Sequence, residues 1–331
     1  MFWSSKVTPM KERLNTPVLF LIFNRPDTTK LVFDRIRAAR PGRLYVAADG
    51  PRENVSGDTS LCEAARKVLK EVDWECDVRT LYRETNLGCS LAVSSAITWF
   101  FETERDGIIL EDDCLPDPTF FRFCSELLDY YRDDERVMMI SGTNELGTWK
   151  DDRQSYHFST DGVWGWASWR RAWAHFDLNM KRWADPNTQE VLKSVLRNER
   201  LYKNNLREFN RVFEGRVNTW AYPWRLARLI DGGVTATPAR NLVSNIGFRS
   251  DATHTLREDA AVAALPLHAM EFPLTHASSV ELDHDYVKRA FELSYAPLFR
   301  RIKNRLRKLF NRLTQRTISS RLSTDTIGGE R

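Results

Sequence analysis

Three acids stand in a row, Glu111, Asp112 and Asp113, directly after the apolar run "DGIIL". Adjacent carboxylates repel one another and raise each other's pKa unless a cation or a donor-rich ligand sits among them. At the end of a strand such a group suits several chemistries. A calcium loop of the EF-hand kind needs alternating oxygen ligands and a glycine at its sixth position, a pattern that "DDCLPDPTFFRF" lacks. An aspartyl phosphatase wants a second Asp two residues on, where Cys114 and Leu115 stand. A nucleotidyltransferase would carry a glycine-rich phosphate loop near the N-terminus, where this chain reads "FNRPDTT". A glycosidase needs two separated carboxylates, which no spacing here defines. The remaining chemistry is a divalent cation, Mg²⁺ or Mn²⁺, bridging the diphosphate of a nucleotide sugar, with hard carboxylate oxygens holding the metal. A solvated acidic loop or a charge cluster at a helix N-terminus would look the same. The acids alone leave both readings open.

The elements that would position these residues alternate. "PVLFLIF" reads as a strand, and Pro26, Asp27 and Thr28 then start a helix with Leu31, Val32 and Ile36 on its apolar face. "PGRLYVAADGPR" is a second strand ending at Asp49, "SLCEAARKVLKEV" a helix, and "CDVRTLYRETNLG" a strand then a loop. "SLAVSSAITWFFETE" is helical and "DGIILEDD" is a further buried strand. The alternation predicts an α/β fold with a doubly wound, mostly parallel sheet and helices on both faces. Ligands of such sheets bind beyond the carboxyl ends of the strands. Asn24 with Arg25, Asp49, and Glu111 to Asp113 all fall there. Further on come the helix "TFFRFCSELLDYYRDD", the strand and loop "RVMMISGTNELG", and an aromatic stretch, "STDGVWGWASWRRAWAHFD".

The chain from Pro17 to about Thr255 resembles the GT-A glycosyltransferases, in particular the N-acetylglucosaminyltransferase I group and its bacterial relatives. The likeness is an ordered series of short motifs. "FNRPD" resembles the segment whose Arg approaches the nucleotide, and "AADGPR" the one whose Asp reads the uracil. "LEDDCLPDPTFFRF" resembles the family's Glu-Asp-Asp motif. The resemblance implies Asp113 as metal ligand, Asp112 at the ribose, Glu111 near the sugar and metal waters, and Arg25 and Asp49 on the nucleotide, with Asn24 beside them. It implies a UDP-sugar donor, UDP-N-acetylglucosamine by analogy, and an inverting reaction. "SGTNELG" and "STDGVWGWASWRRAW" resemble the donor-sugar and acceptor segments, which brings in Asn144, Trp164, Gly165 and Trp166. "TWAYPW" resembles the segment that supplies the catalytic base and adds Trp220, but the position matching the base is Ala221. Asp161 and Glu145 are the nearest substitutes. His254, in "SDATHT", is a second metal candidate.

Some of these residues have blander readings. Trp169 and Trp173 suit core packing. Asn86 and Gly88 suit a turn, and a lone His suits structure as well as catalysis.

Composition is ordinary for a soluble globular protein: 42% hydrophobic and 28% charged residues over 331 positions. The N-terminus has no apolar secretion segment, and the longest apolar runs are too short to span a bilayer. Five cysteines form no CxxC pair, which argues for a reducing compartment and against structural zinc. A cytoplasmic protein is expected. The net charge of +4 is unevenly placed: residues 300–316 carry eight Lys or Arg and no acid, leaving residues 1–299 at −4. The expected organisation is a GT-A domain over 14–255, an appendage over 256–295 and a basic tail over 296–331. Within that tail, 296–316 reads as an amphipathic helix with Leu298, Ile302, Leu306, Leu309 and Leu313 on one face. That pattern suits the anionic face of a membrane. Nucleic acid is not expected, because the body is acidic and shows no binding motif. The reading is a metal-dependent glycosyltransferase at the inner membrane face, acting on a glycan or lipid-linked acceptor in surface polysaccharide synthesis. The rivals are a non-catalytic GT-A-like nucleotide-sugar binding module and a membrane-surface interaction protein.

Overall fold

A computed structural model of the 331-residue chain describes residues 13–160, 162–247 and 264–293. Its first part alternates β1 (Val18–Ile22), α1 (Pro26–Ala39), β2 (Arg43–Ala48), α2 (Asp58–Lys67), β3 (Asp77–Tyr82), α3 (Gly88–Thr103) and β4 (Asp106–Glu111). There follow β5 (Cys114–Pro116), α4 (Thr119–Tyr130), β6 (Val137–Ser141), β7 (Tyr156–Ser159), β8 (Trp166–Trp169) and α5 (Arg170–Trp173). The last named elements are α6 (Pro186–Leu196), α7 (Glu199–Phe213), α8 (Ala221–Ile230), β9 (Val234–Pro238) and β10 (Val243–Asn245).

Eight strands form one sheet in the order β3-β2-β1-β4-β8-β6-β9-β7, and β5 pairs with β10 separately. The strands β1 to β4 are mutually parallel where they pair, as are β6 and β9, whereas β8 runs antiparallel to β4 and β6, and β7 to β9. The mixed α/β architecture with a mostly parallel sheet follows from apolar runs such as "VLFLI" in β1, every residue of which is buried. Strands covered on both faces need no polar alternation. Val18, Phe20 and Ile22 face one core with Val32, Phe33 and Ile36 of α1. Leu19 and Leu21 face the opposite core with Ala96, Ile97 and Phe100 of α3. Burying each large side chain of this kind contributes about 1.5–3 kcal/mol. A third core joins α6, α7 and α8 to Tyr286, Val287 and Ala290 of a helical run over 284–293.

Chain order reverses between β1 and β4: α1 leaves β1 over one face, and α3 leads into β4 over the other. A crevice opens at the carboxyl ends of strands at such a switch point. The described part of the expected appendage, 264–293, packs on the body: Met270 N donates to Thr119 Oγ1 and His268 N to Asn241 O. The basic amphipathic segment 296–316 lies outside the described residues. Among the described residues no helix is long and apolar enough to cross a membrane.

Candidate active site

Glu111 is the last residue of β4 and pairs with Leu21 of β1. The chain then turns through Asp112 and Asp113 into β5. Asp112 is 7% exposed, and its carboxylate accepts the Phe23 N–H at 3.1 Å. Arg25 Nη1 donates to Asp113 Oδ2 at 2.9 Å, in a pair whose side chains are 15% and 18% exposed. The β5–β10 pairing brings Gly247 against this acid, where an added Cβ would lie 2.1 Å from Asp113 Oδ2. Only glycine fits beside the carboxylate.

Burial, and then the Asp113 and Asp112 charges, push Glu111 up to about 8. Burial and the Asp113 charge push Asp112 up to about 7. Asp113 is also raised by burial, with Arg25 opposing. One arginine does not offset three gathered carboxyls. Among the described residues no three His, Cys, Asp or Glu side chains converge into a ready-made metal cage.

A cavity of about 310 Å³ lies beside the acids. The residues that line it include Arg25, Asp49, Glu111, Asp112 and Asp113 from three strand ends, together with Arg52, Arg83, Asn86, Trp164, Thr219, Trp220 and Ala221. Small and apolar side chains of the sheet and α3, among them Leu21, Ala47, Ala92 and Val93, complete it. The Cys89 thiol also lines it; burial and then the charges of Glu111, Asp113 and Asp49 push it up to about 12, so it remains a neutral thiol rather than a nucleophile.

Asp49 has a different setting from the one its motif suggests. Its carboxylate accepts the N–H groups of Gly50, Leu87 and Gly88 and the side-chain amide of Asn86, at 2.9–3.2 Å. The loop before α3 can lie this close because residue 50 is glycine: a Cβ there would come within 2.3 Å of the Thr85 backbone. Asp49 thus clamps the loop, and its lone pairs go to protein donors. The sequence reads Asn86 and Gly88 as turn residues, with no sign of that partner.

The remaining expectations separate cleanly. Trp164, Trp220 and Ala221 line the cavity. Trp166, expected at the sugar, is instead fully buried in β8 and stacks on Trp220 with ring centroids 5.6 Å apart. Gly165 sits among Val243 and Leu110 side chains, with its carbonyl accepting the Gly142 N–H. Asn144, also expected at the sugar, is fully buried, and its amide donates to the carbonyls of Pro238 and Ala239. Asn24 is not among the lining residues, and its amide donates to Asp58 Oδ1 at 2.6 Å. Glu145 lines a separate small pocket with Thr143, Ser159 and Tyr286 and is not among the residues that line the main cavity. Asp161 and His254 lie outside the described residues.

Two further arginines, Arg52 and Arg83, line the cavity. Arg52 donates to Asp58, whose carboxyl it holds down at about 2. Arg83 donates to Ser95 Oγ and has no ion-pair partner among the described residues. Both follow strand ends, in "ADGPR" and "LYRET", so the rule that placed Asp49 would also have found them.

No protein-family model and no curated protein matches the chain in sequence. Solved structures do match. HddC from Yersinia pseudotuberculosis is 8% identical at a TM-score of 0.26, over 43% of this chain and 59% of that protein's length. The inositol-1-phosphate CTP transferase from T. maritima is 7% identical at a TM-score of 0.37, over 68% of this chain and 85% of the other. UDP-glucose pyrophosphorylase complexed with UDP-glucose is 7% identical at a TM-score of 0.35, over 70% and 93%. Matches at these scores identify neither a family nor an activity for this chain.

Proposed function

We propose that the cavity binds the nucleoside diphosphate of a nucleotide sugar together with Mg²⁺ or Mn²⁺, and that the protein is a glycosyltransferase. The observation that carries this reading is the gathering of Glu111, Asp112 and Asp113 with, among the described residues, a single directly paired arginine, Arg25, at the switch point of the sheet. The carboxyls suit a hard cation, which would offset the burial and the mutual repulsion that raise Glu111 and Asp112. The absence of a full protein cage among the described residues suits Mg²⁺ or Mn²⁺ as well, since such ions are held by one or two carboxylates plus substrate phosphates. Bound there, the cation would supply charge neutralisation for the departing diphosphate.

The chain's own residues would do the rest. Asp113, already turned toward Arg25, would hold the cation, and Arg83, without an acid partner among the described residues, would attract the diphosphate. Trp164 and Trp220 on the same wall offer aromatic faces to the apolar CH face of a sugar. The described lining contains no histidine, and its Cys89 stays a protonated thiol, so the proton acceptors available there are carboxylates. Asp161, two positions before the lining residue Val163, stays the candidate base for an acceptor hydroxyl. A UDP-sugar donor, a glycan or lipid-linked acceptor and attachment of the basic tail to an anionic membrane surface complete the reading.

Ala221 on the cavity wall favours a second reading, a binding module without turnover. A thermal-shift screen of nucleoside diphosphates and their sugars, with and without Mn²⁺, tests the first step. A ligand bound only by the native state raises the melting temperature by mass action. A nucleoside diphosphate with Mn²⁺ should raise it more than either alone, and indifference to every nucleotide would sink the proposal. Nucleoside diphosphate released in the presence of a glycan acceptor extract then separates the enzyme from the module.

A further inference from the structure

We infer that Asn86, rather than Asp49, reads the nucleobase, and that it selects a base with a ring N–H donor, of which uracil is the pyrimidine example. The inference rests on the proposal that the cavity holds a nucleotide. A carboxylate offers about four acceptor sites, and Asp49 receives Gly50 and Leu87 on Oδ1 and Asn86, Leu87 and Gly88 on Oδ2. A base would have to displace a backbone donor of the loop to reach it.

Asn86 has the complementary arrangement. Its amide nitrogen gives one proton to Asp49 Oδ2 at 3.0 Å and the other to the Gly50 carbonyl at 2.9 Å. Two acceptors on one side fix the orientation of the amide, since the oxygen would be repelled in that place. Asn86 Oδ1 is therefore turned away from Asp49, and it accepts no hydrogen bond among the described residues. Asn86 lines the same cavity as the apolar side chains of Leu21, Ala47, Ala92 and Val93, which offer a surface for a flat ring. An oriented acceptor beside an apolar slot recognises a ring N–H. Cytosine presents a lone pair at the same ring position and would be repelled. Asp49 is then a positioning residue: it holds the amide that does the reading.

Calorimetry on the full chain with Mn²⁺ would compare UDP, N3-methyl-UDP and CDP. The wild-type protein should bind UDP about tenfold more tightly than either analogue, as expected when a hydrogen-bond donor is lost. In Asn86→Ala that ratio should fall to about one, because the acceptor is gone and the methyl group has room. A loosened loop with the reader intact elsewhere would weaken all three ligands and keep the ratio, and a kept ratio would overturn the inference while leaving nucleotide binding in place. If the wild-type protein binds no nucleoside diphosphate at all, the parent proposal fails and this one falls with it. A second measurement needs no variant: the uracil imino proton of UDP bound at saturation should be protected from solvent exchange. Unprotected exchange in the wild-type complex would also overturn the assignment.

Discussion

Burial and ionisation oppose each other at Glu111 and Asp112. Both folded-state values, about 8 and about 7, lie above the ordinary carboxyl values of 4.5 and 3.8. The folded state therefore holds more protons than the unfolded chain between those limits, and these two groups make stability fall as pH rises through the window. His157 acts in the opposite sense below its ordinary 6.5, because burial lowers it to about 4. The comparison is cleanest from about pH 6.5 to 8. With EDTA present, Glu111→Gln keeps the shape and loses the charge, so its melting temperature should fall less over that range than the wild-type protein's. Parallel curves would contradict this. The acids were legible in the sequence because three adjacent carboxyls are a local pattern. The use of Asp49 was not, because its partners Asn86, Leu87 and Gly88 lie 37 to 39 residues away.

Among the elements, β8 decides where the aromatic segment goes. It inserts between β4 and β6, with Trp166 opposite Ile109 and Ser141. Its ring meets Trp173, Trp220 and Trp224, and so supports the start of α8, where Trp220 and Ala221 line the cavity. Trp166→Ala should cost about 3–5 kcal/mol of stability, the range for emptying a large aromatic site in a core. Urea denaturation would measure it, and a loss below about 1 kcal/mol would show that the site collapses without harm. The parallel strands β1, β2 and β4 could be read from their apolar runs alone. The strand β8 could not: "WASW" is four residues long and next to Gly165, and its burial on both faces depends on strands far away in sequence. A cluster of tryptophans looks the same in a sugar site and in a core.

At the scale of the whole molecule, the alternating first half specifies a parallel sheet with its crevice at the switch point, and local sequence carries that much. The wall formed by Trp164, Thr219 and Trp220 comes from far later in the chain and closes the cavity only in three dimensions. The tail stays a sequence argument, with eight cations over residues 300–316 against a body of net charge −4. Truncation after Ala296 should release the protein from anionic vesicles without changing nucleotide affinity, since each basic residue near such a surface contributes about 1 kcal/mol. Cosedimentation of the truncated protein would move the membrane contact to the body. The central claim is that the acids at the end of β4 hold a cation for a diphosphate, and titrating UDP into Asp113→Asn with and without Mn²⁺ tests it most directly. The amide keeps the side chain's shape but loses the charge a hard cation requires. The account predicts that Mn²⁺ strengthens UDP binding to the wild-type protein and no longer does so in the folded variant. An undiminished Mn²⁺ effect in Asp113→Asn would contradict it.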